Sequence, residues 1–376
     1  MKTAIYGGAF NPVHNEHINI VLSAKKELGL DRIIIVPTCV SPHKKGVMCA
    51  RNKDRLNMCR IAFSGIDGVE VSDCEIKRGG VSYSYVTCRQ FKKLYPEDEL
   101  YFIMGADMLA GFADWKQPEE ILKCVTLAVC AREDGQLLKN DIVKFQKKFK
   151  KDLVSFSYVG KALSSTKVRV LSALGEDVSH WVPEKVRTYL RKNKIYALPE
   201  LWEVKKYLTE ERWAHTVRVA VLAAEHCRKA GVYEIDAIIA SALHDCAKYL
   251  SADSEELRGF TFPKGVPEPV IHQFSGAFVA EHVFNIKDKY ILNAIKYHAT
   301  GRENMSNLEK LIYLADLLEE DRNFDGVVQL RQKLKQGLNE CLYSAFEHQL
   351  NYFKSVGKHV SPLTERAYEY LKENYK

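Results

Sequence analysis

The sequence lacks the features that would mark a membrane protein or a disulfide-stabilised protein. None of its apolar runs is long enough to span a bilayer, and its first residues show no pattern of a cleavable signal peptide. Its ten cysteines contain no Cys-x-x-Cys pair, which argues against disulfides and against thiolate metal sites. We therefore expect a cytoplasmic protein whose thiols are free and mostly buried.

The composition is that of an ordinary globular chain with room for two domains. Of its 376 residues, 46% are hydrophobic and 27% are charged, which is sufficient for two cores. The formal net charge of +7 does not by itself predict nucleic-acid binding, because anionic nucleotide substrates account equally well for a mild basic surplus. We expect neither a nucleic acid nor a membrane as partner.

Short apolar runs alternate with helical periodicity in the first half of the chain. Helical spacing is clearest in Ile18–Leu28, Asn52–Ser64 and Tyr85–Leu94. This alternation predicts a Rossmann-like parallel sheet covered by helices on both faces. The five predicted strands are Thr3–Tyr6, Arg32–Pro37, Val69–Ser72, Leu100–Met104 and Thr126–Ala131.

The pattern changes near Leu198, and no convincing strand follows. We predict an α/β domain over residues 1–198 and an all-α domain over residues 199–376. The chain shows no internal repeat and no low-complexity linker between them. The predicted helices of the second domain are Leu201–Leu208, Trp213–Ala230, Ile235–Ala247, Val270–Val283, Ile286–Tyr297, Leu308–Leu318 and Leu330–Phe353.

Two glycines and two histidines follow the first predicted strand. Gly7 and Gly8 allow a sharp turn and a close approach of the backbone to a ligand. His14 and His17 lie three residues apart where the next helix begins, and free N–H groups with the positive end of the helix dipole favour phosphate there. The segment is predicted to bind a polyphosphate, with a purely structural turn as the alternative.

A second segment of this domain also has the residues of an anion site. Ser164, Ser165 and Thr166 precede helical periodicity, as the residues at the start of a helix do. Arg169 follows one turn later and adds a cation. Taken alone, this segment could be only a helix cap, but the presence of two such segments in one α/β domain favours a nucleotide site.

These motifs resemble the bacterial nicotinate-nucleotide adenylyltransferases of the HxGH-containing nucleotidyltransferase superfamily. The resemblance covers about residues 1–198, and two positions depart from it. Glu16 stands where the family usually has Gly, and Asn11 stands where it often has Asp. The matching motifs are Gly-Gly-x-Phe at Gly7–Phe10, His14 and His17, the stretch from Pro37 to Lys44, Ser82–Ser84, Gly105–Asp107, Trp115, Ala131-Arg132, and Ser164–Arg169.

The resemblance implies adenylyl transfer from Mg²⁺-bound ATP to nicotinate mononucleotide, which gives deamido-NAD and pyrophosphate. It implies that His14, His17, Lys44 and Arg169, with Mg²⁺, stabilise the charge of the departing pyrophosphate. A pantetheine phosphate, a polyol phosphate or nicotinamide mononucleotide as acceptor remains open, as does a core role for Trp115. The implied nucleotide-binding residues are Gly7, Gly8, Phe10, Ser84, Gly105, Asp107, Trp115, Arg132, Ser164, Ser165 and Thr166.

The second half carries a set of potential metal ligands. His244 and Asp245 are adjacent at the end of an otherwise apolar predicted helix, where burying either side chain unpaired is costly and a metal removes that cost. With His215, His272, His298 and Asp316 they form the order His…His-Asp…His…His…Asp. This order resembles the HD-domain phosphohydrolases and, more closely, the bacterial symmetrical diadenosine tetraphosphatases (Ap4A hydrolases) over about residues 200–376.

The six ligands fit two metal ions that share one carboxylate. His215, His244, Asp245 and Asp316 are predicted for one ion, and Asp245, His272 and His298 for the other. Imidazole and carboxylate ligands favour iron or manganese. The resemblance implies symmetrical hydrolysis of Ap4A to two ADP, with Asp245 essential and Lys248, Arg218 and Arg322 as phosphate ligands. A surface salt bridge for Arg322, a different nucleotide substrate, a sensor without turnover and the oligomeric state remain open.

Overall fold

The computed structural model describes residues 1–40, 46–131, 135–158, 160, 163–264 and 266–374, without the side chains of residues 135–138. The chain forms two compact units. The first contains residues 1–45, 49–168 and 178–195, and the second contains residues 46–48, 169–177 and 196–376. The domain border predicted at residue 198 stays a prediction, and these units differ from it because two short earlier segments belong to the second unit.

The first unit contains a six-stranded sheet in which every neighbouring pair is parallel. Its strand order is β3-β2-β1-β4-β5-β6, so the order reverses between β1 and β4. The predicted Rossmann-like fold is therefore confirmed, with a sixth strand that the sequence did not predict. The strands are β1 (Lys2–Gly8), β2 (Arg32–Pro37), β3 (Val69–Val71), β4 (Glu99–Gly105), β5 (Thr126–Ala131) and β6 (Val154–Ser157).

Helices cover this sheet because the central residues of its inner strands are mostly apolar and buried. Ile33, Ile34 and Ile35 of β2 are all fully buried, although successive side chains of a strand point to opposite faces, so both faces need a cover. In such sheets ligands bind beyond the carboxyl ends of the strands, at the reversal of strand order. The helices of residues 1–195 are α1 (Asn15–Leu28), α2 (Asn52–Phe63), α3 (Cys74–Arg78), α4 (Ser84–Leu94), α5 (Ala106–Ala110), α6 (Pro118–Cys124), α7 (Gly135–Phe149), α8 (Ser165–Ala173), which belongs to the second unit from Arg169 onward, and α9 (Glu184–Lys192).

The second unit is helical, and its described residues contain no strand. Its core consists largely of small and branched side chains such as Ala220, Ala223, Ala237 and Ile238, which allow close packing of helices. No helix in the described part of the whole chain is long and apolar enough to cross a membrane. The helices are α10 (Glu210–Cys227), α11 (Glu234–Leu243), α12 (His272–His282), α13 (Lys289–Lys296), α14 (Asn307–Leu318), α15 (Val327–Gln336), α16 (Leu338–Ser355) and α17 (Pro362–Asn374).

Two predicted helices of this unit are not found as such, and the helix predicted to reach Ala247 ends at Leu243. The predicted helix Leu330–Phe353 is wrong as one element, because α15 ends at Gln336 and α16 begins at Leu338. Gly337 between them has an extended backbone and donates its N–H to the Lys333 carbonyl, and glycine is a poor helix former. The segment predicted as Leu201–Leu208 is a 3₁₀ helix, Pro199–Tyr207, and α17 was not predicted.

Candidate nucleotide site and candidate metal centre

The histidine pair of the first unit lies where β1 leads into α1. His14 is the N-cap of α1, and it forms a reciprocal capping box with His17. The His14 backbone N–H donates to Nδ1 of His17 at 3.2 Å, and the ring centroids are 3.7 Å apart. Both imidazoles are therefore brought together at the N-terminus of a fourteen-residue helix, where phosphate is favoured.

The second predicted anion segment begins α8 and lies beside this pair. The Ser164 hydroxyl accepts the Lys167 backbone N–H at 3.2 Å, which is the hydrogen bond expected of a helix cap. The Ser165 hydroxyl donates to the carbonyl of Pro12 at 3.0 Å. Since Pro12 lies two residues before His14, the starts of α1 and α8 are adjacent, and together with Thr166 they form the candidate nucleotide site.

The two departures from the family motif have identifiable partners. Glu16 is buried and accepts a hydrogen bond from the Tyr158 hydroxyl at 2.8 Å. That hydroxyl also accepts from the Asn19 amide at 3.0 Å, and burial together with the Glu16 hydrogen bond raises the pKa of Tyr158. Asn11 is fully buried and accepts the Ala50 backbone N–H at 3.0 Å, so it anchors a neighbouring loop.

Two of the glycines predicted to bind nucleotide end the first strand of the sheet. Gly7 and Gly8 are the last residues of β1 and pair with Val36 and Pro37 of β2. A β-carbon at Gly8 would lie 3.1 Å from the ring of Phe10, which is tighter than an ordinary van der Waals contact. Both glycines thus lie at the edge of the sheet where ligands of this fold bind.

Of the other predicted nucleotide ligands, Gly105 and Asp107 lie at the end of β4, and Ser84 lies at the start of α4. A β-carbon at Gly105, the last residue of β4, would overlap the carboxylate of the exposed Asp107, so a larger residue there would displace the Asp107 side chain. Ser84 is the first residue of α4. Lys44 and Arg132 lie outside the described residues.

Trp115 belongs to an aromatic cluster of the first unit. Its ring lies edge-on to Phe102, with centroids 6.1 Å apart, and tilted against Phe112 at 5.3 Å. The side chain is half-buried, so part of the indole remains accessible. The core role and the role in stacking on a pyridine ring are both compatible with this position.

Arg169 is placed differently from the other predicted phosphate ligands, because it belongs to the second unit. Its guanidinium is buried and forms a bidentate ion pair with Glu234, with Nη2 2.5 Å from Oε1 and Nε 3.0 Å from Oε2. Glu234 also accepts the Met48 backbone N–H at 2.8 Å. The role of Arg169 in phosphate binding stays a prediction, and its partner in the structure is a carboxylate.

Arg55 is a residue of the first unit that sequence reasoning missed. Its guanidinium is buried and donates to the carbonyls of Ala9 at 2.5 Å, Cys39 at 3.1 Å and Thr38. Arg55 therefore ties the loop after β1 to the end of β2, next to the histidine pair. The sequence signal was an arginine within the apolar periodicity of a predicted helix, which is typical of a buried cation.

In the second unit, Asp245 lies at the centre of the predicted metal ligands. The α11 helix ends at Leu243, and His244 and Asp245 follow it in a buried turn. The Asp245 carboxylate is 3.1 Å from Nε2 of His244, 3.1 Å from Nε2 of His272 and 3.6 Å from Nε2 of His298. These four residues, far apart in sequence except for His244 and Asp245, are thus brought together.

The remaining predicted ligands, His215 and Asp316, adjoin this group. Nε2 of His215 is 2.9 Å from Oδ1 of Asp316, and ligand atoms of these two residues and of His244 lie within 4.8 Å of one another. His244, Asp245 and His298 form a second such group. Nε2 of His215, Nε2 of His244 and Oδ2 of Asp245 are buried and close to oppositely charged groups, but none of them forms a hydrogen bond of regular geometry with a described residue, which fits metal ligands.

The protonation of Asp245, Asp316 and His272 is also that of metal ligands. Burial alone would lower the pKa of His215, but the carboxylates of Asp316 and Glu319 beside it outweigh burial and raise that pKa. Burial alone would raise the pKa of Asp245, but the neighbouring imidazoles outweigh burial and hold that pKa well below its usual range. The pKa of Asp316 is likewise lowered, because the adjacent imidazole of His215 outweighs burial. Burial lowers the pKa of His272 to about 4. At neutral pH the carboxylates are charged and His272 is neutral, as coordination requires.

A cavity of about 300 Å³ opens onto these ligands, and three cations line it. Nε of Arg212 is 2.5 Å from Oδ2 of Asp245, and Nζ of Lys248 is 3.2 Å from Oδ1. Nη2 of Arg322 is 2.8 Å from Oδ1 of Asp316. The cavity therefore combines candidate metal ligands with the cations that a polyphosphate requires.

Arg218, also predicted to bind phosphate, has other partners. Its Nε donates to Glu319 at 2.7 Å and its Nη1 is 3.0 Å from Asp321. Sequence reasoning assigned no role to Arg212 and missed Glu319. It also assigned no role to the aromatic and amide side chains that line the same cavity, which are Tyr313, Phe324 and Gln349.

Comparisons with known proteins match both halves of the chain. The family model "Cytidylyltransferase-like" matches residues 5–171, and the "HD domain" model matches residues 212–321. A protein of Mycoplasma pneumoniae named "Probable nicotinate-nucleotide adenylyltransferase/Ap4A hydrolase" is 31% identical over 321 residues, 84% of this chain and 88% of that protein. The chain belongs to the nicotinate-nucleotide adenylyltransferase/Ap4A hydrolase family.

Other matches cover only one half of this chain each. A Clostridium tetani protein named "Probable nicotinate-nucleotide adenylyltransferase" is 36% identical over 200 residues, 52% of this chain and 98% of that protein. A crystal structure of a "predicted HD superfamily hydrolase involved in NAD metabolism" from Clostridium acetobutylicum covers 46% of this chain and 96% of that chain, with 31% identity and a TM-score of 0.43. The nucleotidyltransferase assignment of the first half and the HD assignment of the second are confirmed.

Proposed function

We propose that the chain is a bifunctional enzyme of the cytoplasm. The first unit transfers the adenylyl group of ATP to nicotinate mononucleotide, releasing pyrophosphate and forming deamido-NAD. The second unit hydrolyses Ap4A symmetrically, with one water, to two ADP. The observation that carries the proposal is the presence, in one family member, of a histidine pair at a helix N-terminus and of six clustered metal-type ligands.

In the transferase reaction the protein positions reactants and neutralises charge. The phosphate of the mononucleotide attacks the α-phosphorus of Mg²⁺-bound ATP, and the bond to the β-phosphate oxygen breaks. His14 and His17, beside the free N–H groups of α1, stabilise the charge that builds up on the departing pyrophosphate. Ser164, Ser165 and Thr166 hold phosphate oxygens from the adjacent start of α8, where Ser165 is fixed by its hydrogen bond to Pro12.

In the hydrolase reaction the six ligands would hold the cations. Iron or manganese bound there would activate a water and neutralise phosphate charge. His215, His244 and Asp316 form one ligand group, and His272 and His298 adjoin Asp245. Arg212, Lys248 and Arg322 line the cavity and bind the polyphosphate bridge.

The transferase activity is tested by pyrophosphate release from ATP with nicotinate mononucleotide, nicotinamide mononucleotide and pantetheine phosphate offered separately. We expect release with nicotinate mononucleotide and a dinucleotide product in equal amount. Release with pantetheine phosphate alone would contradict the proposed acceptor while leaving the nucleotidyltransferase assignment intact.

The hydrolase activity is tested on Ap4A with the metal-depleted protein and with Mn²⁺ or Fe²⁺ added back. We expect ADP as the only product, no turnover without metal, and full recovery on its return. Formation of ATP and AMP would contradict symmetrical cleavage. Tight binding of a nucleotide without hydrolysis under every metal condition would identify the second unit as a sensor.

A further inference from the structure

Glu319 is a buried carboxylate immediately behind the candidate metal centre. It follows the last residue of α14 and is 2% exposed. Its Oε1 is 3.1 Å from Nδ1 of His215, and its Oε2 accepts from Nε of Arg218 at 2.7 Å and from the Asp321 backbone N–H at 2.8 Å. Both of its oxygens are thus fixed, and one of them faces the imidazole of a candidate metal ligand.

The two nitrogens of the His215 ring face different groups. Nε2 faces Asp316, another candidate ligand, at 2.9 Å, whereas Nδ1 faces Glu319. A carboxylate at Nδ1 accepts the Nδ1–H and leaves the lone pair on Nε2, which is the tautomer that coordinates a metal through Nε2. A carboxylate partner also makes the imidazole a more basic ligand.

Two other histidines of the centre are oriented by backbone groups. Nδ1 of His244 is 2.6 Å from the carbonyl of Ser241, and Nδ1 of His298 is 2.8 Å from the carbonyl of Ile295. In each case the carbonyl lies three residues earlier in the chain. His215 is different, because its Nδ1 contacts the carboxylate of Glu319, 104 residues away, instead of a nearby backbone carbonyl.

We propose that Glu319 is a positioning residue of the metal centre, which orients His215 and strengthens the binding of the cation held by His215 and Asp316. The inference rests on the proposed metal dependence of the second unit. Arg218 completes the arrangement, because its guanidinium compensates the buried negative charge of Glu319. The two ions would therefore bind with different affinities. The affinity of the ion at His215 would depend on Glu319, which a substitution can remove.

The test uses the full chain, freed of metal, titrated with Mn²⁺ alone and separately with Co²⁺. The variants are Glu319→Ala and Glu319→Gln, the second of which keeps an oxygen acceptor but not the charge. The matched control is Glu309→Gln on α14. Glu309 is equally buried and pairs with Arg302, its two oxygens 2.6 and 2.8 Å from the guanidinium nitrogens.

We expect the wild-type protein to bind two ions. Glu319→Ala weakens one of them by about 10–100-fold, the effect typical of losing the partner of a metal-bound histidine, and leaves the other unchanged. Glu319→Gln falls between Glu319→Ala and the wild type, and both variants alter the visible spectrum of bound Co²⁺. Glu309→Gln changes neither the affinities nor the spectrum, although it lowers the stability of the fold.

Wild-type affinities for both ions in Glu319→Gln and Glu319→Ala would overturn the inference, as would equal losses in Glu309→Gln. If Glu319→Ala does not fold, Glu319→Gln decides alone. A wild-type protein that binds no ion would instead overturn the proposed metal centre itself, so the two failures are distinguishable. The titration needs no substrate and is therefore independent of whether Ap4A is hydrolysed.

Discussion

The buried ion pair between Arg169 and Glu234 makes the sharpest quantitative prediction. Sequence reasoning assigned Arg169 to the phosphates of ATP, whereas the structure gives it a carboxylate partner within the second unit. The two side chains are 3% and 1% exposed. Replacing Arg169 by Met keeps most of the apolar stem and removes only the charged head. The substitution therefore leaves Glu234 buried with its Met48 hydrogen bond but without a counter-charge.

The expected cost follows from this burial. Removing one partner of a buried ion pair costs about 3–5 kcal/mol, because the remaining charge is neither solvated nor compensated. Since the Met48 N–H still donates to Glu234, we expect Arg169→Met to lose about 3 kcal/mol. Replacing both partners by apolar residues is often neutral, so adding Glu234→Leu should recover much of the loss.

The assay is urea-induced unfolding followed by circular dichroism, with hydrogen exchange of α11 reporting on the second unit. The control is Arg258→Met, which breaks an exposed pair at 3.6 Å with Glu255; exposed pairs of this kind contribute at most about 1 kcal/mol. A loss below about 1 kcal/mol in Arg169→Met would refute the reasoning. If the stability is unchanged while the KM for ATP rises, Arg169 is the phosphate ligand that the sequence predicted.

Three further predictions test the two sites and the cysteines. His17→Ala should reduce adenylyl transfer by about 100-fold or more, the effect of losing one charge-stabilising donor, and spare Ap4A hydrolysis; an equal fall of both activities in a folded variant would contradict independent sites. Asp245→Asn should reduce hydrolysis by more than about 100-fold, since even the loss of an outer partner costs 10–100-fold, and spare adenylyl transfer; unchanged turnover would refute the metal assignment. Iodoacetamide should label the exposed Cys49 first and should not label Cys59 and Cys246 until the protein unfolds. Burial raises the pKa of both buried thiols, and the thiolate is the reactive form. Mass spectrometry of the labelled peptides gives the order of labelling, and early labelling of Cys59 or Cys246 would contradict it.

The sheet could be predicted largely from the sequence because burial on both faces leaves a distinctive pattern. The Ile33–Val36 run has no polar residue, and a short run of this kind between helices predicts a parallel strand. β6 was missed because Val154–Ser157 alternates apolar and polar side chains over only four residues at the edge of the sheet. Such a short alternation is weak evidence for a strand.

The candidate metal ligands could also be proposed from the sequence, because their residue types are costly to bury without a metal. His244 and Asp245 stand together at the end of an apolar helix, and few structural roles suit that pair. Arginine is different, because a phosphate, a buried carboxylate and a row of backbone carbonyls all suit a guanidinium. The sequence shows that an arginine is present, but not which hydrogen-bond acceptor lies beside it in the fold. Arg55, whose partners are backbone carbonyls, is an example.

Two arginines predicted to bind phosphate also have acceptors that the sequence does not reveal. Arg169 pairs with Glu234, 65 residues away, and Arg218 pairs with Glu319, 101 residues away. No local sequence pattern predicts either partner. A guanidinium neutralised by a buried carboxylate attracts a phosphate only weakly. The positive charge available to a phosphate in the second unit's cavity is then that of Arg212, Lys248 and Arg322. Their partners in the structure, Asp245 and Asp316, are themselves the predicted cation ligands, so we expect polyphosphate affinity and metal occupancy to rise together.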